Sequence, residues 1–256
     1  MARIFVTGSA DGLGLGAARA LLDDGHQVVL HARSEQRAGE VHRAEPRAAR
    51  ILVGDLSSIA ATRGVAEQAH ATGRFDAVIH NAGIGYTRSR RVVTADGLEQ
   101  HFAVNVLAAY LLTALITRPD RLIYLSSGMH TGGAPNLDDP QWTKRRWSGS
   151  GAYSDTKLLD IVLMRAVARR WPDVRANAVD PGWVATRMGG HGAPESLADG
   201  VRTQVWLAAS DDPAAQVTGR YFYHQRAREP LAATGSAELQ DRLLGYCAEL
   251  TGTPLP

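Results

Sequence analysis

The chain has 256 residues, of which 45% are hydrophobic and 21% are charged, and its formal net charge is +2. This length and composition suit one globular domain with a substantial core, and the nearly balanced charge gives no reason to expect nucleic-acid binding. The one cysteine, Cys247, excludes an internal disulfide and a cysteine metal site.

The apolar segments of the chain are short. The longest run, residues 103–116, is shorter than the about 20 residues that a membrane helix needs, and it contains Asn105. Residues 4–6 predict a buried strand that runs into glycines, so we expect no secretory peptide. The sequence therefore predicts a soluble cytoplasmic protein without a membrane span.

The first element is an apolar strand over residues 3–7 that ends in a glycine-rich turn. The turn, residues 7–14, has the sequence Thr-Gly-Ser-Ala-Asp-Gly-Leu-Gly, and an amphipathic helix follows it. In this context Gly8 permits a tight turn, Gly12 lets the backbone approach a pyrophosphate, and Gly14 lets the helix pack closely on the strand. The turn predicts a dinucleotide-phosphate site, and a turn without a ligand is the alternative.

The second strand, residues 27–31, ends at Ala32 and Arg33. In NAD-binding folds an Asp or Glu near this point accepts hydrogen bonds from the adenosine ribose. Ala32 is neutral and Arg33 is cationic, which favours a 2′-phosphate and hence NADP, while NAD stays open. Arg33 could instead be a solvated residue at the start of the next helix.

Two further strands, residues 50–53 and 75–80, are continuously apolar, as is typical of buried parallel strands. Asp55, which follows the first of them, either accepts from an adenine amino group or caps the helix that begins near Ser57. The later strands, each with polar residues or a Pro-Gly pair at its end, are residues 121–125, 174–179 and 221–223.

Strands alternate with helices along the whole chain. Right-handed crossovers then build a doubly wound, Rossmann-type parallel sheet with helices on both faces. No internal repeat, low-complexity tract or linker is present, so the sequence predicts a single domain over residues 1–256. We expect residues 129–151 and 187–200 to form its substrate loops, and Gly189 and Gly190 to let the second of them move as a lid.

Tyr153 and Lys157 lie four residues apart at the start of an apolar helical run, so their side chains project from one face of a helix. Free tyrosine and lysine titrate near pH ~10 and ~10.4, so neither handles protons at neutral pH alone. An ammonium at ~4 Å supplies about 4 kcal/mol at an effective dielectric of ~20, enough to lower the pKa of the phenol to ~7. The pair predicts an acid–base group, and a chance match is the alternative.

In combination, these residues resemble those of the classical short-chain dehydrogenases/reductases. The shared motifs are the glycine turn at 7–14, Asn81-Ala82-Gly83, Asn105, Ser127, Tyr153-x-x-x-Lys157, and Pro181-Gly182 with Thr186. They occur in this order over roughly residues 3–223. Ser127 and Tyr153 are 26 residues apart, and this long interval is similar to that of the retinol-dehydrogenase-like and carbonyl-reducing members.

The resemblance implies an NAD(P)-dependent oxidoreductase that interconverts a carbonyl and a secondary alcohol of a small molecule. Tyr153 would be the general acid/base, and Lys157 would support it and bind the nicotinamide ribose. Ser127 would hold the substrate oxygen, and Asn105 would anchor a water that relays protons. The implied cofactor-binding residues are Thr7, Gly8, Ser9, Asp11, Gly12, Leu13, Gly14, Arg33, Asp55, Leu56, Asn81, Ala82, Gly83, Tyr153, Lys157, Pro181, Gly182, Val184 and Thr186.

Three features depart from the family pattern. His80 stands where many members have an asparagine. Asp11 occupies a glycine-turn position that often carries a basic residue in NADP-preferring members, which weighs against NADP. The interval 129–151 carries Trp142, Trp147 and a Lys-Arg-Arg run, which either wall the substrate pocket or form a solvated loop.

Other functions stay open at this point. A non-catalytic cofactor-binding or regulatory protein on the same fold is the main alternative, since fold does not fix function. A sugar-nucleotide epimerase or dehydratase is a weaker one, because the chain is short for a second substrate domain. No His-Glu-x-x-His pattern occurs, so we assign no metal. The apolar helices around 98–116 and 152–170 predict pairing into a homodimer or homotetramer.

Overall fold

The computed structural model describes residues 1–135 and 137–256. Within these residues eight strands form one sheet: β1 (Arg3–Val6), β2 (Gln27–Ala32), β3 (Arg50–Val53), β4 (Ala77–His80), β5 (Arg121–Leu125), β6 (Arg175–Asp180), β7 (Tyr221–Tyr223) and β8 (Arg226–Arg228). Their spatial order is β3-β2-β1-β4-β5-β6-β7-β8, and every pair is parallel except β7–β8. The predicted doubly wound parallel sheet is confirmed, and the antiparallel edge strand β8 is an addition that the sequence analysis missed.

Seven α-helices accompany the sheet in the described part of the chain: α1 (Gly12–Asp23), α2 (Glu35–Ala44), α3 (Ile59–Ala71), α4 (Ala108–Leu115), α5 (Gly149–Arg170), α6 (Leu197–Ala209) and α7 (Ala237–Thr251). Five of them begin directly after a serine whose hydroxyl accepts a backbone N–H of the first turn: α2, α3, α5, α6 and α7. A π-helical turn, Phe102–Leu107, immediately precedes α4. Because it carries Asn105, this turn places an irregular helix segment beside the expected site.

The helices cover both faces of the sheet. Along each strand alternate residues enter two separate cores, one beneath α3, α4, α5 and α7 and the other beneath α1, α2 and α6. On β1, for example, Phe5 belongs to the first core and Ile4 and Val6 to the second. The chain leaves β1 toward β2 on one side and later adds β4 on the other, so the strand order reverses at β1. In such sheets ligands bind in the crevice at the carboxyl ends of the strands around this reversal.

The C-terminal helix α7, for which the sequence indicated no task, packs on α5. Its residues Leu239, Leu243 and Cys247 are buried in the core that also contains eight residues of α5, between positions 159 and 168. The apolar surface that predicted pairing between copies is therefore covered, in large part, inside the chain itself. Within residues 1–135 and 137–256, none of the helices has both the length and the hydropathy needed to cross a bilayer.

His80, the last residue of β4, is fully enclosed among polar and aromatic neighbours. Its Nε2 lies 3.0 Å from Thr113 Oγ1, which is 2.9 Å from the Tyr124 hydroxyl, while its Nδ1 is buried without a hydrogen-bond partner. Burial lowers the pKa of His80 to about 3. The ring is therefore neutral in the folded protein, and it stabilises the fold only while it stays neutral.

Replacing His80 by Gln is expected to reduce the acid sensitivity of the fold. The unfolded chain takes up a proton on His80 below its ordinary pKa of 6.5, whereas the native chain does so only near pH 3, so stability falls as the pH drops through this window. At pH 4.5 the wild type should have lost about 2–3 kcal/mol on this account. Urea unfolding at pH 7 and pH 4.5 measures the difference, and the exposed His42→Gln serves as control. Equal losses in wild type and His80→Gln would contradict this assignment.

Candidate active site

The glycine turn between β1 and α1 is closely packed on one side and open on the other. A Cβ on Gly8 would lie 2.7 Å from the Ala82 Cα, and one on Gly14 would lie 2.4 Å from the Gly8 carbonyl oxygen. Gly12 has φ +52°, and a Cβ there would meet nothing nearer than Thr186 at 3.8 Å. Two glycines thus hold the turn against the sheet, and the third leaves a cradle beside the N-terminus of α1. This cradle fits a dinucleotide phosphate.

A hydrogen-bond network fixes the turn to the end of β4. The Asn81 side-chain amide donates to the carbonyl oxygens of Thr7 and Gly8 at 2.9 and 3.0 Å. In return the buried Thr7 hydroxyl oxygen accepts the backbone N–H groups of Asn81 and Ala82, each at 3.0 Å. Asn81 therefore steadies the β1–β4 crevice, as the sequence led us to expect, whether or not it also touches a cofactor.

His31, on β2, ties the glycine turn to the neighbouring strand end. The Gly8 N–H donates to its Nδ1 at 3.0 Å, so the proton sits on Nε2, which donates to the Gly54 carbonyl oxygen at 2.9 Å. Burial lowers the pKa of His31, which keeps the ring neutral and able to accept from Gly8. The sequence analysis did not identify this residue, although a histidine inside an apolar strand next to the turn was a visible signal.

The adenine side of the crevice carries an arginine that the sequence analysis missed. Arg33 is exposed at the end of β2, as expected. Arg37, one turn into α2, donates to the Asp11 carboxylate at 2.8 Å, and Arg187 lies 3.8 Å from the same carboxylate. The charge of Asp11 is therefore compensated. Asp55 accepts the N–H of Ser57 at 2.9 Å, so it supports the turn before α3.

Tyr153 and Lys157 lie on α5 as predicted, and Ser127 joins them from the end of β5. Ser127 and Tyr153 line the same cavity, and the Ser127 hydroxyl lies close enough to the phenol to lower its pKa. The Lys157 ammonium nitrogen lies 5.7 Å from the centroid of the Tyr153 ring and donates to the Leu125 carbonyl oxygen at 2.6 Å. It also donates to the Asp160 carboxylate at 2.8 Å, a contact that the sequence analysis did not foresee.

The electrostatics of Tyr153 differ from the sequence-based expectation. Burial raises the pKa of the phenol, and the Lys157 cation and the nearby Ser127 hydroxyl only partly offset that effect. The expected lowering to near ~7 assumed a cation at ~4 Å acting alone. In the protein the phenol is enclosed, and the ammonium is paired with the Asp160 carboxylate. The Tyr153 phenol is therefore protonated at physiological pH.

Asn105 is buried in the π-helical turn, and its side chain connects two elements of the site. Its Oδ1 accepts the Ile84 N–H at 2.8 Å, and its Nδ2 donates to the Thr156 hydroxyl at 2.9 Å. The amide thus joins the segment after β4 to the helix that carries Tyr153. The water-anchoring role implied for Asn105 stays a prediction.

A cavity of about 630 Å³ opens beside these groups. Apolar and aromatic side chains supply much of its wall: Leu13, Tyr86, Met129, Trp183, Val184, Met188 and Tyr223. Asp180 and Glu195 also line it, together with Pro181, Gly182, Thr186 and Gly189. Met188, Gly189 and Glu195 belong to residues 187–200, whose roles as a substrate loop and a lid stay predictions.

The tryptophan-rich part of the predicted loop 129–151 does not line the cavity. Residue 136 of this loop lies outside the described residues. Arg145 stacks over Trp142 at 3.8 Å and donates to the Asp155 carboxylate at 2.6 Å. Trp147 contacts Trp142 edge to face, with 5.7 Å between the ring centroids. None of these three side chains lines the cavity; they fasten the segment to the start of α5.

The comparisons with known sequences agree on one family. Residues 2–195 match the family model described as short chain dehydrogenase. The chain is 44% identical to the short-chain dehydrogenase chyC of Penicillium rubens, over 100% of both proteins. It is 31% identical to polyprenol dehydrogenase of Mus musculus, over 96% of this chain and 83% of that relative. For human retinol dehydrogenase 13 the identity is 28%, over 99% and 85%.

Solved structures show the same fold. An uncharacterized protein from Mycobacterium paratuberculosis superposes with a TM-score of 0.83 at 26% identity, covering 100% of this chain and 95% of that one. A blue fluorescent protein from a metagenomic library, solved in complex with NADPH, gives a TM-score of 0.69 at 24% identity, with coverages of 87% and 95%. The order of motifs, the sheet and these relatives agree: the chain belongs to the short-chain dehydrogenase family and is an oxidoreductase acting on CH–OH or C=O groups.

Proposed function

We propose that this oxidoreductase reduces the carbonyl group of an apolar small molecule, with NADPH as the preferred reductant and Tyr153 as the proton donor. One observation carries the proposal: the Tyr153 phenol, the Ser127 hydroxyl and the Lys157 ammonium meet at the wall of a single cavity. A non-catalytic binding protein would have no need of this convergence.

The Gly12 cradle, the N-terminus of α1, and Thr186 beside Gly12 are the features that would hold the dinucleotide. Asp11 precedes α1 without capping it through its side chain, so its carboxylate does not occupy the first-turn N–H groups. The nicotinamide supplies hydride to the carbonyl carbon, or takes it from the alcohol, when the cofactor is bound.

The protein residues handle the proton and the charge. The Tyr153 hydroxyl donates its proton to the carbonyl oxygen as negative charge develops there. Ser127 donates a hydrogen bond to the same oxygen, and the Lys157 ammonium stabilises the phenolate that is left behind. Because burial raises the pKa of Tyr153, the phenol is in the donating form at neutral pH, which suits carbonyl reduction.

The lining of the cavity supports an apolar or aromatic substrate. Tyr86, Trp183 and Tyr223 provide aromatic surface, and Met129 and Met188 provide adaptable apolar surface. Two relatives are named for apolar alcohols, retinol and polyprenol. By contrast, Asp180 and Glu195 place carboxylates in the wall, which disfavours substrates that carry a carboxylate of their own.

A panel of carbonyl compounds tests this proposal. Aryl ketones, alkyl ketones, aldehydes and 2-oxo acids are to be compared at equal concentration with NADPH and with NADH. We expect kcat/KM for aryl or long-chain ketones to exceed that for 2-oxo acids of similar size by at least about 10-fold, the discrimination typical of hydrophobic pockets. No turnover with any compound in either direction, despite cofactor binding, would instead favour the non-catalytic alternative.

A further inference from the structure

Asp160 is a buried carboxylate that contacts the lysine of the site. It lies three residues after Lys157 on α5, and its Oδ2 accepts a hydrogen bond from the ammonium at 2.8 Å. Asp160 is 2% exposed and Lys157 is 5% exposed. Among the described residues, Asp160 is the only carboxylate within salt-bridge distance of Lys157. A buried charge of this kind persists only when it is paired.

The contacts of Lys157 leave one N–H of its ammonium for the active site. An ammonium has three donors, and Asp160 and the Leu125 carbonyl oxygen accept two of them, at 2.8 and 2.6 Å. Leu125 is the last residue of β5, so this acceptor is fixed by the sheet. Gly83 lies beside the ammonium, since a Cβ there would be in van der Waals contact with Nζ, at 3.7 Å.

Polar or titratable groups face the Lys157–Asp160 pair from each neighbouring element. They are Tyr153 on α5, Tyr124 on β5, Ser127 after β5, Asn105 in the π-helical turn and Asp180 at the end of β6, with His80 behind the Tyr124 ring. Burial raises the pKa of Tyr124 and lowers that of His80, so both are neutral at physiological pH. The charge on Lys157 therefore depends chiefly on Asp160.

We propose that Asp160 is a positioning residue for proton transfer: its carboxylate keeps the buried Lys157 ammonium charged and directs its remaining N–H toward Tyr153 and the cofactor ribose. This inference rests on the proposed function of Tyr153. Burial alone would lower the pKa of Lys157, but the Asp160 carboxylate, together with the Tyr153 oxygen, raises it above its ordinary value. Burial raises the pKa of Asp160 to about 6, so the carboxylate is ionised at neutral pH.

Removing the negative charge of Asp160 shifts the pKa values of Lys157 and Tyr153 in the same direction. A carboxylate favours the protonated ammonium and disfavours a phenolate, so its loss lowers the pKa of Lys157 and of Tyr153 alike. Carbonyl reduction needs the phenol protonated and the lysine charged. We therefore expect Asp160→Asn to move the alkaline limb of the pH profile of reduction to lower pH. A merely structural role would lower the rate at every pH without moving this limb.

Lysine titration provides a readout that does not depend on activity. The chain contains two lysines, Lys144 and Lys157, and Lys144 is exposed. Labelling with 13Cε-lysine should give two NMR signals, of which Lys144→Arg removes one and so assigns both. In Asp160→Asn we expect the midpoint of Lys157 to fall by at least about one pH unit, a tenfold weaker proton affinity, while Lys144 stays unchanged.

Asp155→Asn is the matched control. Asp155 lies buried on the same helix and pairs with Arg145 at 2.6 Å, so this change removes an equal charge without touching Lys157. It should leave both the midpoint of Lys157 and the alkaline limb in place. A folded Asp160→Asn protein with an unmoved Lys157 midpoint, or with an unmoved limb, would overturn the inference.

The wild type decides the matter if Asp160→Asn does not fold. There the midpoint of Lys157 should lie above the ordinary value of a free lysine, about 10.4, despite the burial of Lys157. A midpoint equal to or below that value would overturn the inference. The two proposals also fail separately: an active Tyr153→Phe variant would refute the proposed function, whereas the lysine titration would still report on Asp160.

Discussion

Tyr153→Phe is expected to lower kcat for carbonyl reduction by about 10³-fold or more while changing cofactor affinity less than threefold. The substitution removes only the phenolic oxygen, which is the proton donor in the proposed mechanism and lies near the Ser127 hydroxyl. General acid catalysis by a positioned side chain typically contributes about 10²–10⁴-fold. Steady-state kinetics give kcat, and titration of the intrinsic fluorescence with NADPH gives the cofactor Kd.

The control for this experiment is Tyr246→Phe, which removes a phenolic oxygen from a tyrosine that does not line the cavity. Tyr246 donates no proton to the site; it packs edge to face against Phe102 and accepts a hydrogen bond from Gln141 at 3.0 Å. Tyr246→Phe should therefore keep kcat within about threefold of the wild type. If Tyr153→Phe retained more than a tenth of the wild-type kcat, Tyr153 would not be the proton donor.

Local sequence patterns were sufficient to predict the sheet and the positions of the main site residues. Gly14 must be glycine because a Cβ there would meet the Gly8 carbonyl oxygen, a contact within one contiguous βα unit, whereas Gly8 packs on the distant Ala82. Tyr153 and Lys157 project together because the period of a single helix sets their relation. Ser127 was assigned to the site by the family resemblance, and its place after a strand agrees with this, because parallel strands all end at one edge of the sheet.

Features that depend on contacts distant in sequence could not be predicted in this way. The raised pKa of Tyr153 follows from enclosure by several elements, which the four-residue spacing to Lys157 does not report. The covering of α5 by α7 brings together residues far apart in sequence, such as Arg169 and Asp241, which are 72 positions apart. From the sequence, Trp142 could belong to a pocket wall or to a solvated loop. In the structure Arg145, which is paired with Asp155, stacks over Trp142 away from the cavity.

The contacts of Asp11 with distant arginines change the expected cofactor preference. From the sequence, its carboxylate opposed a 2′-phosphate and weakened the case for NADP. In the structure Arg37 donates to that carboxylate at 2.8 Å, and Arg187 approaches it to 3.8 Å. The region then presents exposed Arg33 together with a compensated Asp11, while neutral Ala32 offers no carboxylate to a ribose hydroxyl. The structural neighbourhood thus supports NADP more strongly than the sequence did.

We expect the wild type to prefer NADPH, and Arg33→Ala to reduce the ratio of kcat/KM with NADPH to that with NADH by about 10- to 150-fold. A hydrogen bond from a guanidinium to a phosphate contributes about 1.5–3 kcal/mol, which corresponds to that range, and NADH lacks the phosphate. Arg37→Ala should lower the same ratio by a smaller factor, because it releases the Asp11 carboxylate toward the phosphate. That repulsion is about 1 kcal/mol in water at ~4 Å.

The matched control is Arg43→Ala, which removes an equal charge from an exposed position of α2, in its last turn. If non-specific attraction of the more highly charged cofactor caused the preference, Arg43→Ala and Arg33→Ala would lower the ratio alike, and both effects would vanish in high salt. A specific contact predicts that Arg33→Ala alone has the large effect. A wild type that prefers NADH, or a ratio untouched by Arg33→Ala, would show that the end of β2 does not bind a 2′-phosphate.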